Sequence, residues 1–130
     1  MLTPEHLRHF LWMWELDDRP VFQTRAAPAQ LAESFNFLIN KLSELETLEL
    51  APNDEAVQYW FYEAAKLHFA ANIRDFFEVI YLATLGKKEG VRLGAFANMI
   101  GLNDFAQMLG AGIVNPLQNW LPLKLLLKDK

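Results

Sequence analysis

The run NIRDFFEVIYLATLGKKEGVRLGAFANMIGL, residues 72–102, does most to limit what this chain can fold into. Ile73, Phe76, Phe77, Ile80, Tyr81 and Thr84 recur at helical spacing and define one apolar helix face. Asn72 stands in the N-cap position. Gly86 stands where a helix ends in the left-handed conformation, which is cheap without a Cβ. A second helix is predicted over residues 91–100, stopping at Gly101. Between the two, Gly86 and Gly90 let the chain turn sharply, and the turn gathers Lys87, Lys88 and Arg92. Gly94, one turn into the second helix, would let the two helices flanking the turn approach closely.

The flanking sequence carries the same period. Thr3 as N-cap and Pro4 at the first helical position open a helix in which Leu7, Phe10, Leu11 and Trp14 face the core. Pro20 and Pro28 bracket a connector. From residue 28 to about 48, Leu31, Phe35, Leu38, Leu42, Leu45 and Leu48 alternate with Glu33, Asn40, Glu44 and Glu46 on the other side, which is an amphipathic helix. Asn53 caps a third helix whose Asp54 and Glu55 suit the positive end of the dipole. Its stripe is Val57, Trp60, Phe61, Ala64, Ala65 and His68, widened by Tyr59 and Tyr62. A short sixth helix is predicted from the Asn103 cap to about Gly110, followed by a loop over residues 111–119. No strand-like alternation or internal repeat occurs, so the expected fold is all-α, a compact bundle or cage of five to six helices.

Length and composition agree with one domain. The 130 residues are 52% hydrophobic and 22% charged, enough for a core without staples. With no cysteine, disulfides, thiolate metal sites and a cysteine nucleophile are excluded. No apolar run reaches the ~18 residues a membrane span needs, and no secretory leader is visible, so a cytoplasmic chain without a membrane partner is expected. The net charge of −4 is unevenly spread: residues 1–85 hold a net −7 and residues 86–130 a net +3. A local basic face on an acidic body could still meet a phosphate backbone.

Catalytic patterns fail on inspection. His6 and His9 have an H-x-x-H spacing but lack the glycine that would admit a nucleotide. Lys41-Leu42-Ser43-Glu44 lacks a second lysine. No Ser-His-Asp set, phosphate-cradling loop or third metal ligand accompanies them. Paired acids such as Asp17 and Asp18 abut turns, where solvated charge is the default. No catalytic residue, metal site or cofactor is therefore predicted. The aromatics at 59–62 could stack bases, but consecutive helical positions cannot all face one ligand; Tyr59 and Tyr62 are the candidates for exposure.

The spacing of Phe76-Phe77, Ile80-Tyr81, Leu85, Gly86, Gly90, Arg92, Gly94, Phe96 and Gly101, with Tyr62, Ala65 and Lys66 upstream, resembles the C-terminal helical anticodon-binding domain of class I lysyl-tRNA synthetases. The likeness covers residues 54–109; Val91 stands where that family has proline. It implies a tRNA-binding domain serving lysyl-tRNA aminoacylation, with catalysis in a separate module. Lys87, Lys88, Arg92 and Arg74 would then contact RNA, and Gly86, Gly90 and Gly94 would shape the turn. On this reading the chain divides into a helical pair (1–53), the anticodon-binding-like helices (54–110) and an apolar tail (111–130). Trp120, Leu123, Leu126 and Leu127 in that tail would contact the rest of the domain, a catalytic module or a second copy. The other reading of the same residues is a non-catalytic helical adaptor that oligomerises through the tail, which the acidic net charge favours.

Overall fold

The computed structural model describes residues 2–15, 28–47, 52–87 and 89–115. Among these, six helices and no strand occur: α1 (Pro4–Glu15), α2 (Pro28–Glu46), α3 (Asp54–Lys66), α4 (Ile73–Leu85), α5 (Leu93–Ile100) and α6 (Leu102–Val114). The all-α expectation holds. Trp14 as a core residue, the connector between Pro20 and Pro28, Leu48, Lys88 and the tail from residue 116 lie outside what is described.

The longest helix, α2, has 19 residues and lies against α1, α3 and α6. Its predicted stripe is the buried one: Leu31, Phe35, Leu38 and Leu42 are fully buried, while Glu33, Asn40, Glu44 and Glu46 face solvent. The start of α1 is tied to it by a two-way amide clamp. Leu2 N–H donates to Asn36 Oδ1 at 2.9 Å, and Asn36 Nδ2 donates back to the Leu2 carbonyl at 2.8 Å. Thr3 caps α1 as predicted, accepting from the His6 N–H, while the His6 ring accepts from the Thr3 N–H. That use of the ring gives His6 a structural partner.

The core is built on phenylalanine. Phe35 of α2 stacks on Phe76 of α4 with centroids 4.9 Å apart, and Phe69 continues the stack at 5.5 Å. Phe105 of α6 makes T-shaped contacts with Phe61 and Phe96, centroids 5.7 and 5.6 Å apart. Each fully buried ring removes apolar area worth about 1.5–3 kcal/mol, and each ring pair adds roughly 0.5–1.5 kcal/mol. His68, read as a packing residue of α3, instead lies just beyond its end. There its Nε2 meets Glu33 Oε2 at 2.5 Å, joining the α3–α4 connection to α2.

Several boundaries differ from expectation. Helix α5 begins at Leu93 rather than at Val91. Helix α6 begins at Leu102, before Asn103, and continues through Gly110 and Gly112 to Val114. Gly110, which read as the stop, is interior, and residues 111–114, expected in a loop, are helical. A Cβ on Gly112 would fall against the carbonyl oxygen of Ala83, so only glycine lets α6 lie on α4 there. Asn72 precedes α4 but makes no side-chain capping bond; its backbone carbonyl accepts from Asp75 N–H instead.

The two α6 glycines therefore predict opposite outcomes. Gly112→Ala forces overpacking against backbone and should cost about 1–3 kcal/mol. At Gly110 an added Cβ meets nothing within 4 Å, so Gly110→Ala should gain up to about 1 kcal/mol from helix propensity. Urea unfolding of the two variants checks the contrast.

Candidate nucleic-acid interface

The predicted turn lies between α4 and α5, and its geometry is set by α3. Gly86 closes α4 with φ 69° and ψ 19°, its N–H donating to the Leu82 carbonyl at 3.1 Å. The chain then folds back over α4. The Tyr81 hydroxyl donates to the Val91 carbonyl at 2.7 Å, and Gly90 sits so close that a Cβ would meet Leu85 Cδ1 at 2.7 Å and the Tyr81 ring at 3.2 Å. Burial, and secondarily Tyr62 nearby, raises the Tyr81 pKa. The phenol thus remains a neutral donor through the ordinary pH range.

Helix α5 is fastened to the start of α3. Arg92 occupies its N-cap position and has no side-chain acceptor to offer. The buried N–H of Gly94 is satisfied from another helix, by Gln58 Oε1 at 2.6 Å. Asn98 Nδ2 adds bonds to the Pro52 carbonyl and Asp54 Oδ1, both at 2.9 Å. A Cβ on Gly94 would meet the Asp54 carbonyl oxygen at 2.5 Å. Gly94 therefore permits the approach of α5 to α3, and not to α4 as the sequence suggested. On α3, Asn53 caps as predicted, Oδ1 accepting from Ala56 N–H at 2.8 Å.

The four predicted cations are not equivalent. Lys87 is exposed on the turn, and Arg74 is exposed at the start of α4. Arg92 is engaged: its two terminal nitrogens reach Glu55 Oε1 and Oε2 at 2.9 and 3.1 Å. Both partners are more than half exposed, so this pair contributes about 0–1 kcal/mol and screens readily. Lys88 lies outside the described residues. Gln58 and Asn98 escaped the sequence reading; their partners are 36 to 46 positions away, beyond any helical spacing.

Aromatic side chains are exposed on the α3 surface. Tyr59 and Tyr62 are 53% and 39% exposed, as the sequence suggested. Tyr62 packs on half-buried Phe77 of α4 with centroids 5.2 Å apart. A separate cleft of about 410 Å³ opens between Leu2, α2 and α6, lined by the amides of Asn36, Asn40 and Gln107 over Ile39 and Ala106. None of its described lining residues carries a charge, so it lacks what a phosphate site requires. No helix among the described residues is long and apolar enough to cross a membrane.

The fold thus presents exposed tyrosines on α3 and exposed cations, Arg74 and Lys87, at either end of α4. Among curated proteins, the chain is similar to the lysine–tRNA ligase of Rickettsia felis, 26% identical over 105 residues, which is 81% of this chain and 20% of that relative. It is also similar to the lysine–tRNA ligase of Rickettsia rickettsii, 34% identical over 55 residues, 42% of this chain and 10% of the relative, in the Sheila Smith and Iowa strains alike. The chain therefore spans a fifth or less of the length of these relatives, and a segment of it is related to part of a lysine–tRNA ligase. No family model matches the chain, and no solved structure matches it significantly.

Two consequences of the site geometry are measurable. Gln58→Leu leaves the Gly94 N–H buried without a partner and should destabilise the fold by about 1–3 kcal/mol in denaturant unfolding. The raised Tyr81 pKa means the folded state disfavours the phenolate. That stability is fully present below the unfolded phenol pKa of about 10 and falls as pH rises above it. Tyr81→Phe should flatten this alkaline decline while losing about 0.5–1.5 kcal/mol at neutral pH with the Val91 bond.

Proposed function

We propose that this chain is a tRNA-binding helical domain, comparable to the anticodon-binding region of a class I lysine–tRNA ligase, that serves lysyl-tRNA aminoacylation without a catalytic centre of its own. The observation that carries the reading is the partial similarity to two rickettsial lysine–tRNA ligases. The turn supports it. Lys87, with Lys88 beside it in sequence, supplies positive charge there, Arg74 supplies more at the opposite end of α4, and the Tyr81 hydroxyl ties the Val91 carbonyl to α4.

Arg92 fits the same reading despite its partner. Releasing a surface ion pair costs about 0–1 kcal/mol, and a charge-assisted bond to phosphate compensates for a loss of that size. Residues 54–110 would form the RNA-binding part and residues 1–53 its supporting helical pair. The tail would contact the domain, a catalytic module or a second copy through Trp120, Leu123, Leu126 and Leu127. A cytoplasmic location follows from the same role.

Salt dependence tests the proposal. The chain should bind tRNA with an affinity that falls steeply as salt rises, and Lys87→Ala/Lys88→Ala should reduce the log–log slope by roughly 1–2. Absence of tRNA binding at ~50 mM salt, where phosphate contacts are strong, would overturn it. The adaptor reading, favoured by the net charge of −4, would then stand in its place.

A further inference from the structure

The cleft of about 410 Å³ between Leu2, α2 and α6 has walls of one chemical kind. Leu2, Ile39, Ala106 and Val114 make them apolar, and Asn36, Asn40 and Gln107 add amides. Asn36 is occupied by its two bonds to Leu2. Asn40 and Gln107 are exposed, and neither side chain has a hydrogen-bond partner among the described residues. Gly110 leaves the α6 wall bare, since a Cβ there would meet nothing within 4 Å. Val114, at the end of α6, exposes its side chain. An uncharged hollow with apolar walls is stabilised by whatever apolar group displaces its water.

The chain itself leaves from this cleft. Val114 lines it and ends α6, the Asn115 N–H still donates to the Ala111 carbonyl at 2.8 Å, and Pro116 follows without the N–H that a further turn would use. The five residues from Asn115 to Trp120 reach at most about 17 Å when extended, and α6 rises about 12 Å from Gln107 to Asn115. Trp120 can therefore return along the whole α6 wall. Residues 116–123 hold Leu117, Trp120, Leu121 and Leu123, and the first charge after α6 is Lys124. A neutral segment in a neutral cleft leaves no ion to be desolvated on either side. Asn40 and Gln107, each both donor and acceptor, suit the indole N–H and the backbone groups that such a segment brings. The connector of residues 16–27 fits less well. It carries Asp17, Asp18, Arg19 and Arg25, and it follows Glu15, at the end of α1 away from Leu2.

We propose that the α2–α6 cleft is the docking site for this chain's own residues 117–123, with Trp120 as the side chain that enters it. Of the three contacts open to the tail, this assigns the first and gives it a receiving surface. It holds whether or not the chain binds tRNA. The tail of a second copy has the same chemistry, but a segment tethered by a few residues is present at roughly millimolar effective concentration. The tethered segment therefore wins in dilute solution.

Disulfide trapping in the full chain tests the site, and the lack of any native cysteine makes each introduced pair unique. Gln107→Cys is combined in turn with Asn119→Cys, Leu121→Cys and Lys124→Cys, which keep Trp120 and Leu123 in place. A bond requires Cβ atoms about 3.5–4.5 Å apart. At least one pair should close within a single chain under mild oxidation, at a rate independent of dilution. Pairs of the same tail positions with Glu55→Cys, on α3 and outside the cleft, should close more slowly. Adding Gly110→Trp, which fills the cleft from its bare wall, should abolish the Gln107 cross-link while circular dichroism shows the helices retained. Gln107 pairs that close no faster than the Glu55 pairs, or a cross-link undiminished by the filled cleft, would overturn the proposal. Cross-links that form only between chains and vanish on dilution would overturn it in favour of a second copy.

Discussion

The bond from the Gly94 N–H to the Gln58 side chain is the contact on which the arrangement of the site depends. A helix that begins at Leu93 presents unpaired N–H groups, and its N-cap residue is an arginine, which cannot accept a hydrogen bond. Closing α5 onto α3 places one of those donors in a buried position, where leaving it unpaired would cost about 1–3 kcal/mol. Gln58 removes that cost, and the lack of a Cβ at Gly94 makes the distance attainable. Once α5 is fixed in this way, the turn before it has both ends determined. Gly86 follows α4, and Arg92 stands beside Glu55.

Around this latch the distribution of aromatic residues divides into two populations with different consequences. Phe35, Phe61, Phe76 and Phe105 are fully buried and interlock four helices through stacked and edge-on contacts. Tyr59 and Tyr62 lie on the opposite side of α3, exposed, with the second resting on Phe77. The first population stabilises the fold by excluding water. The second exposes apolar area that folding alone does not require, beside the turn that carries Lys87.

The relatives place a limit on what one chain of this size accounts for. Both are lysine–tRNA ligases, and the chain spans at most a fifth of their length. The similarity reaches a helical segment of this chain and part of each relative.

Much of the architecture was legible in the sequence because it is local. The period of Leu31, Phe35, Leu38 and Leu42 gave α2, Asn53 with its acidic followers gave the start of α3, and Gly86 gave the end of α4. Each of those signals acts within one or two helical turns. Gly110 of α6 misled for the opposite reason. Gly110 read locally as a helix end, yet α6 runs on past it, and Gly112 lets that extension lie against the backbone of Ala83. Likewise the sequence identified Gly94 as a point of close approach but not the helix it approaches, since Asp54 and Gln58 are about forty and thirty-six positions earlier. What the sequence by itself determined was helix content, the buried stripes and the basic turn, all set by residue spacing along one helix. Only the tertiary structure decided that Arg92 is clasped by Glu55 while Lys87 is left exposed, and that Tyr62 rests on Phe77. Those pairings depend on which helices touch, and no local periodicity encodes that.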